Sequence, residues 1–393
     1  YADVYDRYGI GARPGFNHDP SKVFDQRLGD ATWLIQVARG YDLIYNLPSI
    51  TADQRRHIAD DLIRPAARHI LANGSMRRGP TNWSAIAMAS VLMAGYATDD
   101  EALIREGLYG GGDETNIKGG AFFHFGPACI DADGMWSEGA MGYQFMALEA
   151  LVTYAEAAWH HGIDLYRYRD AALKRLFDSP LQYAYPDLTT PAIHDSGHGS
   201  IIDREAFLYE FAYRRYRDAR YIPILDQAGT HLVAQFQQFP VSVLYDRDRD
   251  AAAEATEPDS VNFFGVGYGI LRHTDERGTT SLLLDYGPNR SHGHPDKLNV
   301  DLWTFGDRLI PDPGSVWYEQ PIYRQWYHTT LSHNTLIVDE LDQRPTGAEQ
   351  LVYGPAATLS LQRARTRDAY PGVLMDRAVF LTPDYLADLF GAF

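Results

Sequence analysis

The spacing of apolar residues changes once along this chain of 393 residues, and that change limits what the chain can fold into. Between Leu28 and about Gln238, apolar side chains recur three and four residues apart, which is the period of an amphipathic helix. After about Val241, short runs rich in β-branched and aromatic residues appear, separated by Gly, Pro, Asn and Asp. The sequence therefore predicts a helical half followed by a half built from antiparallel strands.

Seven stretches carry the helical period, and loops rich in Gly, Pro and Asn separate them. The stretches are 31–46, 58–71, 84–96, 143–159, 170–177, 204–216 and 222–236. No strand pattern lies between them, which indicates an array of antiparallel helix pairs. There are too many helices for one four-helix core, so a toroid is favoured over a simple bundle.

The second half of the chain has six predicted strands. They are 263–271, 280–286, 298–305, 335–338, 357–361 and 378–381. The polar, Ala-rich segment 246–258 is the candidate linker. We therefore expect a helical domain at 1–245 and an antiparallel β domain at 258–393. Because the strand pattern is still running at Phe393, we expect this β domain to be incomplete.

Composition excludes several classes of protein. The formal net charge of −17 argues against non-specific binding to nucleic acid, which needs a basic surface. It does not exclude an acidic substrate, because a local basic cleft can sit on an acidic protein. No apolar run reaches the roughly 18–20 residues of a membrane helix. The single cysteine, Cys129, excludes an intrachain disulfide and a multi-cysteine metal site.

The first candidate motif is Asn82-Trp83, which follows a basic loop containing Arg77 and Arg78. Asn82 stands where a helix would begin, so it is either an N-cap or a carboxamide donor for a substrate carboxylate. The two arginines are candidate contacts for an acidic substrate.

The second candidate motif is the loop 133–139, followed by Tyr143 at the start of a long helix. With 26 tyrosines in the chain, Tyr143 can be a plain core aromatic residue. However, the loop is polar and Gly-rich, which is typical of the border of a cleft. The first turn of a helix also favours an anionic side chain. Trp136 and Glu138 in this loop are candidate substrate contacts.

The third candidate cluster begins with His292 and His294, which would point to the same face of a strand. Together with Asp312 and His333, His294 can form a site of two nitrogens and one oxygen that suits zinc or a similar divalent ion. The alternative is a polar network without metal. Tyr318 and Tyr323 are candidates for substrate contact, and Tyr323 also for proton transfer.

Five motifs in this order resemble the heparinase II/III-like polysaccharide lyases. They are Asn-Trp at a helix start, Asp-Gly-Met-Trp-x-Glu-Gly before Tyr143, His-Gly-His-Pro-Asp-Lys, Asp-Pro-Gly and Ser-His-Asn-Thr. The resemblance runs from about Leu28 to the C-terminus. It implies an incomplete (α/α) toroid followed by a C-terminal antiparallel β-sandwich, with the substrate cleft between them. The low cysteine content fits a bacterial periplasmic or secreted enzyme as well as a cytosolic one, and we expect a secreted or periplasmic location.

The resemblance assigns roles to residues of this chain. It matches Tyr143 to the catalytic tyrosine, His292 to the active-site histidine and Asn82 to the residue that neutralises the uronate carboxylate. His294, Asp312 and His333 match the ligands of a divalent metal, expected to be a structural zinc. Some relatives carry His at or next to the Asn82 position, whereas this chain has Asn82 followed by Trp83.

The expected activity is β-elimination of an acidic, uronate-containing polysaccharide, either a glycosaminoglycan or alginate. One alternative is a glycoside hydrolase, for which Asp133 and Glu138 would be the two carboxylates that such enzymes need. The other is a carbohydrate-binding protein that uses exposed aromatic rings. Its candidate rings are Trp136, Trp317, Tyr318 and Tyr323. The sequence leaves the choice of polysaccharide and the oligomeric state open.

Overall fold

The computed structural model describes residues 1–11, 20–72, 76, 79–235 and 258–393. Two compact units form, and each is made of two stretches of chain. One contains Tyr1–Ile130 with Met146–Leu173, and the other contains Asp131–Phe145 with Lys174–Phe393. The candidate linker 246–258 lies outside the described residues except for Pro258. The predicted domain bounds, 1–245 and 258–393, stay a prediction.

Eleven α-helices occur among the described residues, and all of them precede the first strand. They are α1 (Arg27–Ile44), α2 (Ala52–Ile58), α3 (Arg64–Leu71), α4 (Asn82–Thr98), α5 (Glu101–Tyr109), α6 (Gly120–His124), α7 (Met141–Trp159), α8 (Tyr168–Tyr183), α9 (Ile201–Arg204), α10 (Ala206–Tyr216) and α11 (Ile222–Gln235). Each of the seven predicted helical stretches overlaps at least one of them. No helix in the described part of the chain combines the length and apolar content that crossing a membrane requires.

In the first unit, the start of α4 is fixed by a cap and by close packing against α5. The Thr81 side chain accepts a hydrogen bond from the Ser84 amide at 3.2 Å, which satisfies one of the free amides of the first turn. A Cβ on Gly107 of α5 would lie 2.5 Å from the Leu92 Cβ of α4. Only a glycine permits this approach of the two helices. As a result, Asn82 occupies the first position of a firmly held helix.

Nine strands among the described residues of the second unit form two antiparallel sheets. The strands are β1 (Val261–Phe263), β2 (Tyr268–Asp275), β3 (Gly278–Asp285), β4 (Val300–Thr304), β5 (Asp307–Ile310), β6 (Glu349–Gly354), β7 (Ser360–Thr366), β8 (Met375–Leu381) and β9 (Leu386–Ala392). Their order is β1-β2-β3-β4-β5 in one sheet and β6-β7-β8-β9 in the other.

A shared apolar core joins the two sheets. Leu284 of β3 and Val300 of β4 pack in one buried cluster with Ala364 of β7 and Val379 of β8. Buried and partly exposed residues alternate along β8, as expected for a sheet with one face on the core. By contrast, every residue of β4 is buried, because the ring of Tyr185 stacks on Trp303 on its other face.

Some predicted strands differ from the observed ones. Residues 335–338 form no strand, and the segment holding His292 and His294 is a loop between β3 and β4. The sequence also missed β5, β6 and β9. The two loop segments are held by side-chain hydrogen bonds, for example from the Asn334 side chain to the Val300 carbonyl at 3.1 Å. A β-rich composition does not reveal such contacts.

Candidate active site

Asp195, which the sequence analysis did not single out, lies at the centre of the site. Its side chain is only 5% exposed, in the loop between α8 and α9. Among the described residues, five groups surround its two oxygens: His292 Nδ1 (3.0 Å), His294 Nε2 (3.1 Å), Ser315 Oγ (3.0 Å), the Tyr318 hydroxyl (2.9 Å) and the Tyr323 hydroxyl (3.1 Å). One carboxylate therefore joins three segments of the second unit, which are its own loop, residues 292–294 and residues 315–323.

Backbone contacts fix the loop that carries Asp195. The Asp195 amide donates to the His292 carbonyl at 3.1 Å, and the Ser315 amide donates to the Ser196 carbonyl at 3.0 Å. Gly314 has a φ of 71°, and a Cβ there would lie 2.5 Å from the Ser196 carbonyl oxygen. The glycine of the Asp-Pro-Gly turn is thus required both for its backbone conformation and for this close approach.

Tyr143 belongs to the same cluster and is half-buried. Its ring stacks on the His292 ring, with centroids 3.4 Å apart and an interplanar angle of 11°. Its hydroxyl is hydrogen-bonded to the Tyr318 hydroxyl. Tyr318 donates its one proton to Asp195, so it accepts from Tyr143. Burial raises the pKa of Tyr143 to about 12, so the side chain is a neutral phenol in the unbound protein.

His292 lies between two carboxylates. Its Nδ1 is 3.0 Å from Asp195 Oδ2, and its Nε2 is 3.3 Å from Glu138 Oε1. Burial opposes the charged ring, but the hydrogen bonds with Asp195 and Glu138 outweigh burial and raise the pKa of His292. The surroundings favour the charged form of the ring, in which both nitrogens donate.

Glu138 and Trp136 support this histidine. The Trp136 indole N–H donates to Glu138 Oε2 at 2.7 Å, and Trp136 is only 1% exposed. The large ring is packed in the core with its polar N–H satisfied, so it offers no face for a sugar. The buried position of Trp136 differs from its predicted role as a substrate contact. Glu138 is 4% exposed and contacts His292, so in this structure it orients the histidine.

The predicted metal ligands come together in part. His294 Nδ1 lies 3.2 Å from His333 Nε2, and both histidines are buried. Asp312 contacts the opposite nitrogen of His333, with Oδ2 2.9 Å from Nδ1. The ligand atoms that all lie within 4.8 Å of one another belong to His294, Asp296 and His333. Asp312 as the oxygen ligand stays a prediction, and Asp296 is a second carboxylate close to the same histidine pair.

Asp296 links this histidine pair to a second buried cluster. Asp296 is 0% exposed, and among the described residues neither of its oxygens has a hydrogen-bond partner. Its Oδ1 lies 3.5 Å from Lys297 Nζ and 3.5 Å from His194 Nε2. The Lys297 ammonium is hydrogen-bonded to Asp285, and both side chains are buried. Two carboxylates and a lysine are thus buried behind the site, beside a histidine.

Asn82 lies in the other unit and is described there by itself. It is the first residue of α4 and is fully buried, and the N-cap is Thr81. The Asn82 Oδ1 accepts from the Trp83 amide at 2.8 Å, and its Nδ2 lies 3.6 Å from Met146 Sδ. Because Thr81 is the N-cap, the alternative interpretation of Asn82 as an N-cap is not supported. Arg77 and Arg78 lie outside the described residues.

Comparison with known proteins gives a match in each half of the chain. Residues 18–190 match the alginate lyase family model, and residues 255–391 match the model of the heparinase II/III-like C-terminal region. An alginate lyase of Stenotrophomonas maltophilia is 28% identical over 98% of this chain and 54% of that protein. An exo-oligoalginate lyase of Saccharophagus degradans is 24% identical over 95% of this chain and 51% of that protein. The chain thus spans about half the length of these relatives.

Solved structures show the same fold. A structure of heparinase III superposes with a TM-score of 0.71 at 15% identity, covering 95% of this chain and 56% of that one. The heparan sulfate lyase HepC of Pedobacter heparinus superposes with a TM-score of 0.67 at 16% identity, covering 94% of this chain and 54% of that one. The predicted fold class, an incomplete (α/α) toroid followed by an antiparallel β-sandwich, is confirmed. The resemblance of this chain to the heparinase II/III-like polysaccharide lyase superfamily, predicted from its motifs, is thereby confirmed as well.

Proposed function

We propose that the protein is a polysaccharide lyase that cleaves an acidic, uronate-containing polysaccharide by β-elimination. The observation that carries the proposal is the stacked pair of Tyr143 and His292, held around the Asp195 carboxylate. Alginate is the first substrate to expect, because both curated relatives carry alginate in their names. A substrate of this kind also suits the predicted secreted or periplasmic location.

The reaction removes the C5 proton of a uronate, forms the C4–C5 double bond and breaks the C4–O4 bond. The proton on C5 is not acidic, so negative charge that develops toward the C6 carboxylate has to be stabilised. His292 is suited to this because its two carboxylate partners favour the charged ring. Asn82 as a hydrogen-bond donor to the C6 carboxylate stays a prediction from the sequence.

Tyr143 is the proposed proton-transfer residue. As a neutral phenol, it can protonate the departing O4. To act also as the base, Tyr143 must enter the reaction as a phenolate that has lost its proton to solvent; it then takes the C5 proton and passes that proton to O4, so it ends as the phenolate again. Its hydroxyl is hydrogen-bonded to Tyr318. Asp195 holds Tyr318 on its other side. Burial disfavours the Asp195 carboxylate, but hydrogen bonds from His292 and His294 outweigh burial and hold its pKa well below the usual range. Asp195 therefore orients this chain of hydroxyls without readily taking the proton.

The contacts of the two nominated carboxylates argue against a glycoside hydrolase. Asp133 accepts a hydrogen bond from the Gly265 amide at 3.1 Å, and Glu138 is held by His292 and Trp136. A hydrolase needs one carboxyl group to protonate the glycosidic oxygen and a second to act as base or nucleophile. The contacts of Glu138 leave it engaged with other side chains.

A panel of uronate polymers tests the proposed activity. We expect ultraviolet absorbance to rise with alginate, because elimination creates an unsaturated uronate, whereas hydrolysis does not. Heparan sulfate, hyaluronan and chondroitin complete the panel. New reducing ends without an absorbance rise would identify a hydrolase. Binding without either change would identify a carbohydrate-binding protein.

We also propose that the buried histidine pair holds a structural divalent metal, zinc first. Two imidazole nitrogens and a carboxylate are a donor set that zinc accepts. Oδ1 of Asp296 faces Lys297 and His194, whereas Oδ2 lies 3.9 Å from His333 Nδ1, so Oδ2 is the oxygen that would ligate a cation. His294 and His333 would supply the nitrogens, and either Asp296 or Asp312 the oxygen. The metal would hold together the loops behind His292, and no proton-transfer step passes through it.

Replacing His294 by alanine should therefore lower metal content and thermal stability together, because metal binding is coupled to folding. Elemental analysis of protein purified without chelator should find about one metal per wild-type chain and much less in His294→Ala. The matched control is His57→Ala, a partly exposed histidine of the first unit, which should keep the metal. Comparing Asp296→Asn with Asp312→Asn identifies the oxygen ligand. Metal-free wild-type protein would contradict the proposal.

A further inference from the structure

We propose that Asp195 is a positioning residue that serves the proton-transfer site and the buried histidine pair at the same time. The inference rests on the proposed function and extends it, because it joins two sites that the sequence motifs treat as separate. It is carried by the division of partners between the two carboxylate oxygens.

Oδ2 of Asp195 orients the groups around Tyr143. It lies 3.0 Å from His292 Nδ1 and accepts from the Tyr318 hydroxyl at 2.9 Å. Tyr318 in turn accepts from Tyr143, whose ring stacks on His292. The position of this oxygen therefore sets both the tilt of the His292 ring and the direction of the two tyrosine hydroxyls.

Oδ1 of Asp195 orients the buried histidine pair. It lies 3.1 Å from His294 Nε2 and also accepts from Ser315 Oγ at 3.0 Å and the Tyr323 hydroxyl at 3.1 Å. A carboxylate only accepts hydrogen bonds, so the proton of a neutral His294 ring lies on Nε2. Its lone pair then lies on Nδ1, which faces His333. This is the tautomer that a metal-binding histidine needs, and carboxylates commonly fix it in this way.

The two functions are tied together because one small rigid group performs both. The loop is anchored by the hydrogen bond from the Asp195 amide to the His292 carbonyl, so the carboxylate has little freedom to serve one side alone. An asparagine has the same shape but only one acceptor oxygen. Whichever way the asparagine amide turns, its NH2 group replaces one acceptor oxygen and faces the donors that this oxygen had bound.

The test is Asp195→Asn, with zinc as the probe. In chelator-treated protein without substrate, we expect zinc affinity to fall about 10- to 100-fold, the usual effect of losing a carboxylate behind a metal-binding histidine. At saturating zinc, we expect kcat on the cleaved uronate polymer to fall by about 100-fold with little change in KM, because the proton-transfer groups lose their alignment. Asp187→Asn is the matched control, since Asp187 is exposed and caps Thr189 in the same loop. It should change neither quantity.

Two further variants separate the oxygens and remain informative if Asp195→Asn does not fold. Tyr318→Phe removes a donor from Oδ2 and should lower kcat while zinc affinity stays at the wild-type value. Ser315→Ala loosens Oδ1 and should lower zinc affinity severalfold. The proposal is overturned if Asp195→Asn binds zinc as the wild type does, or keeps wild-type kcat at saturating zinc. Zinc affinity is measured without substrate, so it tests the role of Asp195 independently of the proposed function. A wild-type protein that cleaves no uronate polymer would contradict the proposed function, not this inference.

Discussion

Tyr143→Phe should lower the rate of unsaturated-product formation by about 10²- to 10⁴-fold, the usual contribution of a general acid or base. The change removes only the hydroxyl that is hydrogen-bonded to Tyr318 and keeps the ring that stacks on His292. Substrate affinity and melting temperature should therefore stay near their wild-type values. The measurement is kcat from ultraviolet absorbance, set beside KM and a thermal unfolding curve.

The matched control is Tyr353→Phe in the same unit. The Tyr353 hydroxyl donates to the Ile270 carbonyl of the β-sandwich at 3.0 Å, so its loss also removes one tyrosine hydrogen bond. This variant should keep its turnover. If Tyr143→Phe retains most of its activity on the substrates that the wild type cleaves, another group transfers the proton.

Lys297→Met should have the largest effect on stability. The change removes a buried ammonium from between Asp285 and Asp296, both of which are 0% exposed. Breaking a buried ion pair by removing one partner costs about 3–5 kcal/mol, because a charge is left uncompensated. In a unit of this size, such a loss lowers the melting temperature by on the order of 10 °C. Differential scanning calorimetry of chelator-treated protein measures it.

Lys174→Met is the control for losing a lysine. Lys174 binds Asp178 at 2.9 Å and Asp218 at 2.6 Å, but its side chain is 26% exposed. Arg220 also contacts both carboxylates, so neither is left without a cation, and this variant should melt within a few degrees of wild type. Adding Asp285→Asn to Lys297→Met should restore part of the loss. Equal melting temperatures for the two lysine variants would show that the buried charges do not depend on Lys297.

The helical half could be predicted well from sequence because its signal is local. A helical pattern is a property of one segment, and the predicted stretches begin and end within four residues of the bounds of α1, α4 and α7. The strands were less predictable. β5 and β9 expose much of their surface and lack a clear alternation of apolar residues. Residues 335–338 look β-rich but are held by hydrogen bonds from distant loops.

The site was predictable where a motif carried it. Tyr143, His292, Tyr318 and Tyr323 were named from sequence, and the structure brings them together around one carboxylate. Asp195 was missed because nothing near it in sequence points to its partners. Trp136 was assigned to substrate because aromatic residues in polar loops often stack on sugars. Its burial depends on packing that one sequence does not reveal.

The contacts around Asp195 also bear on the order in which the protein assembles. Asp195 and His292 are 97 residues apart, Asp195 and Tyr318 are 123 apart, and Tyr143 and Tyr318 are 175 apart. Each contact closes a long loop, whose entropy is lost before the contact stabilises anything. During synthesis, the helix bearing Tyr143 emerges well before the tyrosines and histidines that complete its surroundings. The reactive centre therefore forms late, and a chain released before residue 323 would have helices but no site.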